Sequence, residues 1–149
     1  MKAASFFTKD QQSEILASVK EAEKATSGEI RVHIETSCPE DVLDRAAWIF
    51  NKLNMQKTAE RNGVLFYLAV SDRKFAIIGD AGINSKVPSG FWDEIKALMQ
   101  KHFKEGRFTE GLSGGIIMAG SQLKTHFPYQ KDDVNELSDE ISFDKLKGE

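Results

Sequence analysis

Cysteine is nearly missing from this chain: Cys38 stands alone among 149 residues, which excludes an internal disulfide. Lying beside Pro39 with no patterned histidine partner, Cys38 reads as a loop thiol rather than a nucleophile. Histidine is also scarce, and His33, His102 and His126 fall on separate segments without ligand spacing, which argues against zinc. No apolar run approaches the roughly 20 residues of a membrane helix, and the first residues lack the continuous apolar core of a signal peptide. The chain as written is therefore expected to be cytoplasmic and to have no membrane partner. Basic residues are not in excess: the net charge is −3, so nucleic acid is not an expected partner. Phosphate-cradling loops are missing too, because Gly111-Leu112-Ser113-Gly114-Gly115 has neither a following Lys-Ser/Thr nor a preceding strand.

What is present is a 40% hydrophobic content in a chain long enough for one core, so residues 1–128 are expected to form a single, monomeric domain. Residues 129–149 carry seven acids against three lysines and are set apart as an acidic C-terminal tail, a feature suited to recruiting a protein partner.

Thr8 with Gln11 makes a capping box, and Ile15, Leu16, Val19 and Ala22 follow at helical spacing, predicting a helix to about Thr26. Glu29 to Thr36 alternates, with Ile30, Val32 and Ile34 on one face and Arg31, His33 and Glu35 on the other, the period of a half-buried strand. Leu43, Ala46, Ala47, Phe50 and Leu53 return to helical spacing, with Glu40 and Asp41 at the positive end of that helix. Val64 to Val70 is apolar at nearly every position and predicts a strand covered on both faces. The intervening helix makes a crossover, so these two strands are expected to be parallel.

The run Phe75–Ile78 returns antiparallel through Ser71-Asp72-Arg73-Lys74, read as a two-residue loop with Asp72 at the left-handed position. That register sets Ser71 opposite Lys74 and Leu65 opposite Asp80, and holds the Asp72 tip and Asp80 about 25 Å apart. Ser89 is expected to cap a third helix bearing Phe91, Ile95, Leu98, His102 and Phe103, which Glu105-Gly106 stops. A fourth helix starts near Thr109 and carries Leu112, Ile116, Ala119 and Leu123 on one face.

An ordered set of short motifs runs through these elements: Ser27-Gly28-Glu29-Ile30, Arg45-Ala46-Ala47-Trp48-Ile49-Phe50-Asn51, Asn62-Gly63-Val64-Leu65, Ser71-Asp72-Arg73, Gly79-Asp80-Ala81-Gly82-Ile83, and Phe103-Lys104-Glu105-Gly106-Arg107-Phe108 with Gly111-Leu112. By these residues, over roughly 8–125, the chain resembles the TPM domain family. The resemblance implies a three-layer α/β/α sandwich with a small mixed sheet of about four strands. It further implies an association with acid-phosphatase activity, divalent-metal binding and, in plant relatives, photosystem repair. Relatives often show Asp-Asp-Arg where this chain has Ser71-Asp72-Arg73, so one carboxylate of that motif is missing here.

Two ends of the sheet compete for function. At the carboxyl ends of the parallel strands, where ligands usually sit in open α/β sheets, lie Asp44 and Asp72, the candidate catalytic carboxylates of a metal-assisted phosphomonoesterase. At the opposite end Glu29, Glu60, Asn62, Asp80 and Asp93 sit in or beside loops whose oxygens suit a hard cation such as Ca²⁺ or Mg²⁺. The preferred expectation is a divalent-metal-binding domain whose loops are ordered by the ion. The phosphatase and a protein-interaction module are the alternatives.

Overall fold

In a computed structural model that describes residues 2–129 and 140–144, a four-stranded mixed sheet lies between two helical layers. The sheet order is β3-β2-β1-β4, with β1 Glu29–Glu35, β2 Gly63–Ala69, β3 Lys74–Gly79 and β4 Ile141–Phe143. Strands β1 and β2 pair in parallel from Glu29 opposite Gly63 to Glu35 opposite Ala69. β4 lies parallel to β1 on its other side, so the segment set apart by its charge contributes a strand. Asp144 secures that strand: its carboxylate accepts from the Thr36 amide at 2.6 Å and from the Thr36 hydroxyl at 3.1 Å.

On one face of the sheet pack α1 (Ala3–Phe6), α2 (Lys9–Ala25), α5 (Asp93–Lys104) and α6 (Phe108–Leu123). Ile30, Val32 and Ile34 of β1 and Val64, Phe66 and Leu68 of β2 meet Ile15, Val19, Met99, Ile116 and Leu123 there. On the other face α3 (Val42–Lys52) and a 3-10 turn at Met55–Lys57 cover Leu65, Tyr67 and Ala69 with Ala46, Ile49, Phe50 and Met55. The Thr8–Gln11 capping box forms as expected, and Asp41 caps α3 by accepting from the amides of Leu43 and Asp44. Helix α6 approaches its neighbours closely because Gly115 and Gly120 lack a Cβ, which would stand 2.6 Å from Met99 and 2.7 Å from Ala22.

Four local expectations change. Ala69 pairs with Lys74 and Leu65 with Ile78, so the β2–β3 pairing slips by two residues from the sequence reading. A two-residue slip leaves every side chain on its expected face, so the hydrophobic pattern could not detect it. The loop is thereby longer, and Arg73 (φ 54°), rather than Asp72, takes the left-handed conformation. Residues 81–84 form a short helix, α4 (Ala81–Asn84), capped by Asp80. Helix α5 begins at Asp93, not after Ser89, and Phe91 and Trp92 pack edge to face in the preceding turn. The polar face of β1 is not at solvent: His33 is 0% and Glu35 4% exposed, in a strand that has neighbours on both sides and with the Arg45 side chain of α3 against Glu35.

Candidate functional site

The hairpin and the crossover bring residues 60–63 and 79–82 together where β2 begins. The Asp80 amide donates to the Gly63 carbonyl at 3.0 Å, and the Gly82 amide to the Arg61 carbonyl at 2.9 Å. Gly82 is required by this approach, since a Cβ there would lie 2.0 Å from the Glu60 carbonyl oxygen. Asp80, buried, accepts from Arg61 Nε at 2.7 Å and Nη2 at 2.8 Å, a bidentate pair, and also from the Ala81 amide at 2.7 Å. The Asp80 hydrogen bonds, together with its charge, raise the Arg61 pKa above its ordinary value. Arg61 itself is held in left-handed backbone (φ 51°), which is uncommon away from glycine.

The remaining residues expected at this end are distributed around that pair. Asn62 Nδ2 donates to the Ser27 carbonyl at 3.2 Å, while its Oδ1 is buried without a hydrogen-bond partner. Glu60 reaches the Ser27 hydroxyl at 3.5 Å. Glu29 is buried at the start of β1, its amide donating to the Asn62 carbonyl at 3.2 Å. Asp93 stands apart, in a hollow with Asn84, Gly90 and Lys96 at the start of α5. Among the described residues no group of three or more His, Cys, Asp or Glu side chains is close enough to hold a metal ion. The donors at this end are all oxygen, which suits a hard cation, but Asp80 already has its charge balanced by Arg61. A divalent ion fits there only in place of the guanidinium.

At the other end of the sheet the chain builds a buried ionic cluster that alternation alone did not disclose. Glu35 accepts from Arg45 through both carboxylate oxygens and from the Tyr67 hydroxyl, with His33 Nε2 at 3.4 Å. His33 Nδ1 in turn meets Ser142 Oγ of β4 at 2.6 Å. Burial pushes the Glu35 carboxyl up, but the hydrogen bonds of Arg45, His33 and Tyr67 outweigh it and hold the pKa at about 2. Burial and the neighbouring Glu35 raise the Tyr67 hydroxyl well above the ordinary tyrosine range. A cavity of about 350 Å³ adjoins the cluster, lined in part by Thr36, Ser37, Cys38, Glu40 and Arg45. The signal for this cluster was an ionisable residue at every second position of a strand destined for the middle of the sheet.

Both candidate catalytic carboxylates at this end serve or flank backbone structure. Asp72 accepts from the Cys38 amide at 2.6 Å, which ties the hairpin tip to the loop after β1. Asp44 lies exposed in the first turn of α3, beside the cap formed by Asp41.

Two helical layers around a small mixed sheet, with a polar cluster at each end of the central strands, define an α/β/α sandwich domain of the kind that presents loops at both rims. The TPM domain profile matches residues 1–122, and the chain belongs to that family. The NMR structure of the BA42 protein from the psychrophilic bacterium Bizionia argentinensis is similar at 46% identity and a TM-score of 0.89, over 93% of this chain and 96% of that one. The N-terminal domain of a P. gingivalis protein (20% identity, TM-score 0.70, 85% of this chain and 83% of that one) shares the fold. So does the N-terminal domain of the cg2496 protein from Corynebacterium glutamicum (11% identity, TM-score 0.63, 91% of this chain and 80% of that one). No curated protein matches the chain. Among the described residues no helix is long and apolar enough to cross a membrane.

Proposed function

We propose that this chain is a divalent-cation-responsive domain in which Ca²⁺ or Mg²⁺ competes with the Arg61 guanidinium for Asp80. The observation that carries this reading is the pairing of a carboxylate only 5% exposed with an arginine side chain that is 50% exposed and left-handed in its backbone. Arg61 acts as a tethered cation. Its displacement uncovers little that was dry, and it lets the residue 54–62 connector leave a backbone conformation that non-glycine residues disfavour. Asn62 Oδ1, Glu60 and loop carbonyls are further oxygens within the same stretch of chain. Loop order then becomes the quantity that the ion regulates.

Calorimetric titration with Ca²⁺ and amide NMR shifts with and without chelator test this. Arg61→Gln is expected to bind Ca²⁺ more tightly than the native chain, Asp80→Asn to lose the response, and Asp72→Asn to keep it. Shifts are expected in residues 54–62 and 79–93. Identical titration curves for the Asp80 and Asp72 variants, or shifts centred on 36–44, would remove the reading. The phosphomonoesterase alternative gains nothing from the hairpin tip, because the Asp72 carboxylate is engaged by a backbone amide. Chelator-sensitive phosphate release from an aryl phosphate would restore it.

A further inference from the structure

Two of the motifs, Ser71-Asp72-Arg73 and Phe103-Lys104-Glu105-Gly106-Arg107-Phe108, have no part in the cation reading, yet the fold brings them to one cavity. It measures about 410 Å³ and lies between the end of β2, the hairpin tip and the C-terminal turn of α5. Its body is apolar, formed by Leu68, Val70, Phe75, Phe103 and Phe108, with Phe75 edge-on to Phe103 and Phe103 stacked on Phe108. Among the described residues its only charged lining groups are two cations, Arg73 and Lys104. We infer that this cavity binds a small amphipathic carboxylate, an aromatic body among the three phenylalanines and its acid group between Arg73 and Lys104.

The charge pattern singles out an anion. In a chain of net charge −3, each of these cations has an acid as its immediate sequence neighbour, and both acids are turned to other partners. Asp72 accepts from the Cys38 amide, and Glu105 pairs with Arg107 at 3.7 Å. Arg107 is further engaged by Glu110 at 3.0 Å, which leaves Arg73 and Lys104 as the pair at the cavity with no acidic partner among the described residues. Of the last carbonyls of α5, those of His102 and Phe103 are already engaged, accepting from the amides of residues 105–107. Arg73 is also placed by left-handed backbone (φ 54°), an unfavourable conformation that aims a guanidinium where a turn residue would be the ordinary choice. Guanidinium geometry suits a carboxylate held through two hydrogen bonds, with the lysine as a second point charge. The volume falls in the usual range of small-ligand pockets.

Naphthoate is a suitable probe, with naphthalenemethanol as its uncharged counterpart, both titrated into the full chain and followed by amide NMR. Saturable shifts are expected at residues 68–75 and 100–108. Arg73→Gln and Lys104→Gln are each expected to weaken naphthoate about tenfold, the loss of one charged hydrogen bond. Arg107→Gln, an adjacent but paired arginine, is expected to leave binding unchanged, and the alcohol is expected to bind at least about tenfold more weakly. Both substituted cations are exposed, so unchanged melting curves verify folding. Absence of saturable shifts, shifts elsewhere, equal binding of the alcohol, or an Arg107→Gln loss matching the other two would each overturn the assignment. None of these outcomes bears on Ca²⁺ binding at Asp80, on the opposite rim.

Discussion

The described residues include two bidentate arginine–carboxylate pairs, one at each end of the central strands, and their surroundings differ. The side chains of Arg45 and Glu35 are 14% and 5% exposed, and the Glu35 carboxylate also accepts from Tyr67 and lies 3.4 Å from His33 Nε2. Arg61 and Asp80 are 50% and 5% exposed, and the carboxylate's other contact is a backbone amide of its own cap. The same chemical contact therefore has two natures. In the first, the buried acid accepts from Arg45 through both oxygens and from the Tyr67 hydroxyl, and removing one partner strands a buried charge. In the second the cation is half in water, as its proposed exchange for another cation requires.

The largest expected effect that sharpens this contrast is Arg45→Met, which leaves Glu35 charged and buried. It is expected to cost about 3–5 kcal/mol in urea-unfolding free energy. A loss no larger than that of Arg61→Gln would erase the difference between the ends. Next in size is the acid dependence of stability. Because the folded Glu35 carboxyl sits at about 2, below its ordinary value of 4.5, its contribution is present above pH 4.5 and lost as pH falls toward 2. Urea midpoints measured at descending pH should show that acid decline in the native chain and a shallower one in Glu35→Gln. Matching slopes would mean that the network does not protect this carboxylate. The smallest effect is expected for Arg61→Gln without metal, about 1 kcal/mol or less, as for pairs open to solvent. Added Ca²⁺ should return that variant to native stability or beyond, since a ligand of the folded state stabilises it by mass action.

Much of the scaffold was legible before any coordinates. The capping box at Thr8, the alternation over 29–36 and the unbroken apolar run over 64–70 correspond to α2, β1 and β2, because amphipathic period and cap chemistry are local properties. The parallel pairing of β1 with β2 followed from the helix between them. The proximity of residues 62 and 80 followed from the hairpin, although its register did not, because a slip of two leaves the facing pattern intact. The sites were harder to read. Asp80 was expected to offer its carboxylate to an ion, and nothing in its own neighbourhood of sequence announced Arg61, nineteen residues earlier, as its partner. Glu35 and His33 were read as the outer face of a half-buried strand.

The order of hydrophobic and polar residues along this chain determined which segments coil, which extend and which face of each turns inward, since those choices rest on neighbours within a turn or a strand. Only the tertiary structure decided which charges would meet. Ser142 reaches His33 from β4, and Arg45 reaches Glu35 from α3, which packs over the neighbouring β2 and β3. Arg73 and Lys104 come to one cavity from positions thirty-one residues apart. Electrostatic partnership depends on distance and on exclusion of water, and both are properties of the packed molecule rather than of any local stretch.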